Sequence, residues 1–273
     1  MPQGAGVLLT FDVDLTELDI LAEDLGLGRV VYPYELPYTG ESDAERSAHR
    51  DKVRQRLRRD GWMSGSGSLR ADLEYLLRVW AEPEVVITQI ATVVDGDRRF
   101  LQRGGWRGRT GIVTSQKGAV LTFAELRPTQ VIDEMVGFLP HREPVYGASV
   151  TYVQDGNTGP RRSRDDEEFF GGIDAPPPAP SIGARAAERF FRAPIVRAGV
   201  IACSIRKSNS RTRRGDEIKI GPLNWFDTTD GRFFMIVEAL SNGAERHTVT
   251  PADQARIAQW LHDRINRIRH DSA

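Results

Sequence analysis

Cysteine is almost absent: Cys203 is the one thiol among 273 residues. That excludes an intramolecular disulfide and any cysteine-rich zinc site. The thiol follows the apolar run Val200-Ile201-Ala202, where a buried and unreactive side chain is the plain reading. No apolar run approaches the roughly 20 residues of a membrane-spanning helix, and Met1-Pro2-Gln3-Gly4 opens no targeting segment. We therefore expect no membrane insertion and a cytoplasmic location. Charge of one sign is also missing. The formal balance is −1, which points neither to nucleic acid nor to an anionic lipid surface. His49, His141, His247, His262 and His270 are scattered with no i,i+4 pair, so no metal site is expected. Neither a Gly-x-Ser-x-Gly elbow nor a phosphate-cradling loop occurs. Gly26-Leu27-Gly28 follows a helical pattern instead of joining a strand to a helix, so it reads as a helix end. We expect no cofactor and no small-molecule partner.

What is present is an apolar share of 40%, enough for a real core. The clearest organisation lies between Ile218 and Arg269. Thr229-Asp230-Gly231 and Asn242-Gly243 divide it into three extended runs: Trp225-Phe226, Phe233 to Val237, and Ala244 to Val249. Asn-Gly is a strong hairpin signal because both residues tolerate positive φ. The period then changes. Thr250-Pro251-Ala252-Asp253 reads as a helix N-cap with proline at the first position. Ile257, Trp260, Leu261, Ile265 and Ile268 follow on one helical face.

A looser copy lies upstream. Glu84 to Val94, Arg99 to Gln102, Arg109 to Ser115 and Ala119 to Leu126 are extended runs, with a turn at Lys117-Gly118. Arg127-Pro128-Thr129 opens a helix whose apolar positions are Val131, Ile132, Met135, Val136 and Leu139. Strands, a glycine hairpin and a proline-opened helix thus occur twice in the same order, an internal repeat. The expected fold is α/β (α+β): a central antiparallel sheet of two meander–helix units, flanked by helices. Residues 1–153 form an N-terminal half. Residues 154–182, rich in proline, glycine and charge, form a linker loop that holds Phe169-Phe170. Residues 183–273 form a C-terminal half, and both halves share one sheet as a single domain. Before the first meander, Val7 to Phe11 reads as a strand and Leu18 to Leu25 as a helix. Val30 to Leu36 reads as an irregular edge strand, and Asp43 to Asp60 as a highly charged helix. The third helix, capped by Ser68, carries Leu73, Leu76, Leu77 and Trp80.

Three stretches invite a chemical reading. Asp12-Val13-Asp14-Leu15-Thr16, after an apolar run, resembles the first motif of haloacid-dehalogenase-type magnesium phosphatases. That chemistry needs a parallel sheet, whereas these strands group into antiparallel meanders; Asp14 or Thr16 as a helix cap is the simpler reading. Arg206 to Arg214 is basic enough to touch nucleic acid but has no interleaved aromatic, so a solvated hairpin tip is the plainer reading and no nucleic acid is expected. Trp106 lies among Gly104, Gly105 and Gly108, and is either an interface anchor on a loop or a ring folded back on the sheet. Trp225 and Phe226 point to opposite faces of one strand. Each meander keeps a second face that no neighbouring helix covers, and an open apolar sheet face binds something. Trp106 and Trp225 are therefore the candidate partner-binding residues.

Thr16 to Gly28 followed by Pro33, Ala44-Glu45-Arg46, Leu77 to Pro83, Trp225-Phe226-Asp227, Asp230 to Phe233, and Thr248 to Asp253 follow one another in a distinctive order. That order resembles the EspG family, the chaperones associated with ESX (type VII) secretion in actinobacteria. The resemblance implies a pseudo-two-fold fold around a central antiparallel sheet. It also implies a protein that is not an enzyme. Such a protein binds the hydrophobic tip of the PPE member of a PE–PPE heterodimer, or another type VII substrate, and keeps it soluble for export. The family offers no binding motif that can be carried over residue by residue.

Overall fold

In the computed structural model, the described residues are 7–28, 32–94, 96, 98–154, 181–206 and 217–271. The chain runs β1 (Leu9–Asp14), α1 (Leu15–Leu25), α2 (Asp43–Arg59), α3 (Ala71–Ala81), β2 (Val85–Val93), β3 (Arg99–Arg107), β4 (Thr110–Lys117) and β5 (Val120–Leu126). It continues with α4 (Val131–Gly137), β6 (Val150–Gln154), α5 (Ile182–Glu188), β7 (Ile195–Arg206), β8 (Glu217–Thr228), β9 (Gly231–Ala239), β10 (Glu245–Pro251) and α6 (Gln254–Asp271). The strands form one ten-stranded sheet in the order β1-β5-β4-β3-β2-β7-β8-β9-β10-β6. Every neighbouring pair is antiparallel. The expected repeat is explicit in that order. In each half a four-stranded meander ends by pairing with a strand that precedes it in sequence, and a helix follows, α4 in one half and α6 in the other.

Strand residues alternate between two faces, and each face has its own cover. On one face α4 and α6 close the largest core, with Val85, Ile87, Trp106, Ile201, Leu223 and Trp225 from the sheet against Met135, Ile257, Leu261 and Ile265. Fully burying one such aliphatic side chain contributes about 1.5–3 kcal/mol. On the opposite face α1, α2 and α3 cover Phe11, Ile112, Leu121 and Phe123 of the first half. Ala187 and Phe190, from α5 and the turn after it, cover Phe233 and Val249 of the second. Thr114, fully buried, pins the three-helix group to the sheet. It receives the Tyr34 hydroxyl on its carbonyl at 2.8 Å and the Trp80 indole N–H on Oγ1 at 3.1 Å.

Local chemistry explains the helix ends. Asp14 caps α1 by accepting from the Thr16 N–H, and Glu17 completes the capping box. Gly26 closes the helix at φ 66°. Ser42 and Glu45 box the start of α2 in the same way.

Several expectations need correction. Ser68 does not cap α3; the N-cap is Arg70, with no side-chain cap bond. Thr250 and Pro251 do not start α6 but end β10, where Pro251 faces Phe233 in register. Asp253 caps that helix instead, accepting from the Arg256 N–H at 2.8 Å. The described part of the Val30 to Leu36 segment is not a strand; its Tyr34 is buried against Thr114. Arg99 to Gln102 continues as one strand through Trp106 to Arg107, so Gly104 and Gly105 are strand residues. A Cβ on Gly104 would meet Met135 Cγ at 2.9 Å. These glycines therefore mark a close approach to the sheet, not a loop.

Helix α2 has few apolar positions, and ion pairs hold it. Arg46, 5% exposed, reaches Asp19, also 5% exposed, and Glu23 of α1. Arg50 reaches Glu23 at 2.6 Å, and Arg54 reaches Asp24 at 2.9 Å. Hydrogen bonding from Arg46 holds the Glu23 carboxyl below the usual carboxylate range. Replacing Arg46 with Met leaves Asp19 buried without its cation. The expected cost is about 2 kcal/mol, between an exposed and a fully buried pair. Thermal unfolding followed by circular dichroism should show Tm lower by about 4–8 °C at neutral pH. Because Glu23 is depressed in the folded state, its share of stability is complete above about pH 5 and is lost as pH falls through the lowered value. The deficit of the variant should therefore narrow in acid.

Candidate functional site

Between the two helical covers, no described helix packs on the middle of the sheet's second face. Register places Leu101, Ile90, Val200, Asn224 and Met235 side by side across β3, β2, β7, β8 and β9. All five are half-buried. Leu101 leans on the three-helix core and Met235 on the core under α5. Ile90 and Val200 belong to no core cluster, so apolar surface faces outward at the centre of the row. The flanking rows carry Thr88 beside Ala202, and Thr92 beside Ala198 and Phe226. On this face β7 offers mainly small side chains, Ala198, Val200, Ala202 and Ser204, which make a shallow floor. Five strands about 4.8 Å apart and six residues of strand length give a floor of roughly 20 Å by 20 Å. The floor is mixed: Ile90, Ala198, Val200 and Ala202 are apolar, and Thr88, Thr92 and Asn224 are polar.

One end of the floor is polar. A cavity of about 220 Å³ opens there, lined by Val86, Arg103, Ser204, Arg206 and Glu217 among others. Arg103, 8% exposed, donates from Nε to the Trp80 carbonyl at 3.1 Å and from Nη1 to the Tyr32 carbonyl at 2.9 Å. No carboxylate among the described residues pairs with it, and burial lowers its pKa to about 10. At the rim, Ser204 donates its hydroxyl proton to Glu217. This end can therefore hold a hydrogen-bond acceptor or a negative group.

The residues singled out in the sequence sit elsewhere. Trp106 is 5% exposed and Trp225 1% exposed, both in the core under α4 and α6. They share a face, but it is the roofed one, so neither ring is presented to a partner in this conformation. Phe226, on the other side of the same strand as Trp225, packs with Phe191 and Phe233 and borders the open floor. The residues that make the floor carry no local mark. Ile90 and Val200 are more than a hundred residues apart, and only the pairing of β2 with β7 brings them together. Alternation within each strand was visible, but the identity of the uncovered stretch was not.

The phosphatase reading fails on geometry. Asp12 is exposed on an antiparallel edge strand opposite Thr122, and Asp14 is committed to the α1 cap. No set of three or more His, Cys, Asp or Glu side chains gathers among the described residues. Of the basic run only Arg206 is described, exposed at the end of β7; 207–214 lie outside the described residues, as do 155–180 of the linker segment. No described helix is long and apolar enough to cross a membrane.

One face of the sheet is thus closed by α4 and α6, while the other carries a helical cover at each flank and only half-buried side chains at its middle. The comparisons then place the chain: it belongs to the EspG family, whose profile matches residues 14–263. No curated protein matches it. Among solved structures it resembles the Mycobacterium tuberculosis type VII secretion system chaperone EspG5 in complex with the PE25-PPE41 dimer. The TM-score is 0.58 and the identity 11%, over 92% of this chain and 93% of that one. At that identity the likeness is one of fold.

Cys203 checks the roofed face. It is 5% exposed, and burial pushes its thiol up to about 12. A thiol reagent at pH 8 should label the native chain only at the rate of unfolding and label it fully in denaturant. Rapid native labelling would show that α4 and α6 lift from the sheet.

Proposed function

We propose that this chain is a chaperone of type VII secretion that holds the hydrophobic tip of the PPE member of a PE–PPE heterodimer, in the cytoplasm and ahead of export. The observation that carries the reading is the half-buried apolar pair Ile90 and Val200, with Asn224 next in their row, at the middle of the second face of an EspG-family sheet. Desolvating an aggregation-prone tip against this floor gives binding without chemistry. The floor of roughly 400 Å² is about half of the 800 Å² that each partner contributes to a standard interface. The remainder is supplied by the two walls, α3 with its preceding loops on one side and α5 with the following turn on the other. Arg103 and its cavity give the floor a polar end, which takes a carbonyl or carboxylate of the client and fixes its direction. Release comes from competition by the export machinery, and the two halves of the chain act as one unit because the floor spans both.

Co-expression with the PE–PPE pairs encoded in the same genome tests the reading. One pair should co-purify at equal stoichiometry. Val200→Asp, and separately Ile90→Asp, should cut its affinity at least about a hundredfold by leaving a charge unpaired in a desolvated contact. Both side chains are half-exposed, so circular dichroism should record a folded chain in each case. Failure of every pair to bind, or full binding by both variants, rejects the proposal.

A further inference from the structure

A second cavity lies on the roofed face, away from the open floor. Its volume is about 290 Å³, and it is bounded by Ala91, Phe100, Phe138, Pro140, Trp225 and Arg197. The walls are fixed before anything enters. The Leu139 carbonyl accepts from the Gln254 amide, and the Pro140 carbonyl accepts from Arg232 Nη2 at 2.7 Å. Phe100 and Phe138 meet edge to face with centroids 5.8 Å apart. Phe138, 36% exposed, reaches solvent. The Trp225 indole lies across Gly199, where a Cβ would stand 2.6 Å from Cε2.

The polar groups behind these walls are unbalanced in one direction. Asp227, fully buried, is shared by two arginines. Arg232 Nε meets Oδ1 at 2.6 Å, and Arg197 Nε meets Oδ2 at 3.0 Å. Two guanidinium groups on one carboxylate leave one positive charge. Beside the cavity the Trp225 Nε1–H and Arg232 Nη1 are donors buried with no acceptor among the described residues, while the unmet amide oxygens of Gln89 and Gln102 lie one row further along the same face. A buried donor without an acceptor is costly, and a buried cation in excess is more so. The apolar walls and this surplus of donors and charge ask for one thing, an anionic acceptor on a compact apolar body.

We propose that the cavity binds a carboxylate carried on a compact apolar group. The head lies against Arg197 and the Trp225 N–H, and the body lies against the Phe100–Phe138 pair. A free arylalkyl or branched aliphatic acid has this chemistry, and so does the C-terminal residue of a peptide ending in an apolar side chain. The site adds a ligand to a chain whose sequence pointed to none. It does not depend on the client-binding floor, which faces the other way.

The indole N–H of Trp225 reports occupancy directly. In ¹H–¹⁵N spectra of the full chain its signal is assigned by its loss in Trp225→Phe. Titration with 3-phenylpropionate should move it saturably, with a Kd of roughly millimolar or tighter for a ligand this small. The neutral amide, 3-phenylpropanamide, should leave it in place. Arg197→Gln should weaken binding about tenfold or more. Phe138→Ala, at a partly exposed wall position, should weaken it as well while the chain stays folded. Calorimetry with both variants measures the same losses independently of the assignment. A peptide ending in leucine with a free carboxylate separates the sources. If it binds and its amidated form does not, the site takes a chain terminus; if only the small acid binds, the site takes a free acid. No saturable response to any of these carboxylates, or equal affinity for acid and amide, overturns the proposal.

Discussion

The pairing of β2 with β7 is the constraint on which the rest of the structure depends. Nine residue pairs join Val85–Val93 to Arg197–Ile205 without a break. Without that seam each half would be a five-stranded sheet with a long apolar edge exposed, a template for aggregation. With it, Ile87 comes beside Cys203 and Gln89 beside Ile201, so one continuous core runs beneath both α4 and α6. The same seam sets Ile90 beside Val200 on the other face, at the midline between two helical covers. The open floor is thus a consequence of the fusion and not a feature of either half. It lies where the covers of the two halves, each built for its own meander, fail to meet.

How much of this was legible in the sequence follows from the range of the signals. Hairpins and helix ends are written within a few residues, and Gly26, Gly118 and Gly243 hold the positive φ that their turns require. The order of strands within each meander follows from short connections, and so does the repeat. The seam is different, because it is specified by matching apolar alternation across more than a hundred residues of chain. Trp106 shows the cost of reading locally. Its glycine neighbours resemble a loop, yet they serve as strand positions that let Met135 of α4 and Pro83 approach the sheet. Thr250-Pro251 shows the same ambiguity, since a proline suits the first turn of a helix and also the end of a strand. In both cases tertiary packing selected between two readings that local chemistry allows.

One helix on the second face, α2, rests on a different kind of interaction from the core. Helix α2 buries only Arg46, Val53 and Leu57, so burial of apolar surface cannot by itself hold it. A ladder of arginines against Asp19, Glu23 and Asp24 does so instead. Such contacts are directional and weakened by salt, whereas the α4–α6 face is held by burial of large side chains. The roofed face is fixed by packing. On the second face, the join between α1 and α2 responds to its ionic surroundings.

Keeping the two faces distinct along one long strand requires a correction of parity, and β8 contains it. In a regular strand, residues of one parity share a face, so Ile218 and Ile220 would lie opposite Leu223 and Trp225. Yet Ile220, Leu223 and Trp225 belong to the same core. The register explains this: Ile201 faces Leu223 while Cys203 faces Ile220, so Gly221 and Pro222 together answer a single residue, Ala202. This is a bulge, and its residues suit it, a glycine without a side chain to place and a proline without an N–H to leave unpaired. The extra residue returns the strand to phase. It keeps apolar side chains under α6 on both sides of the bulge while Asn224 and Phe226 remain on the open face. A strand of uniform alternation would have placed its isoleucines on the floor and a polar residue in the core. Two residues with no side-chain chemistry of their own thus decide which face of this half of the sheet is sealed and which is free to bind.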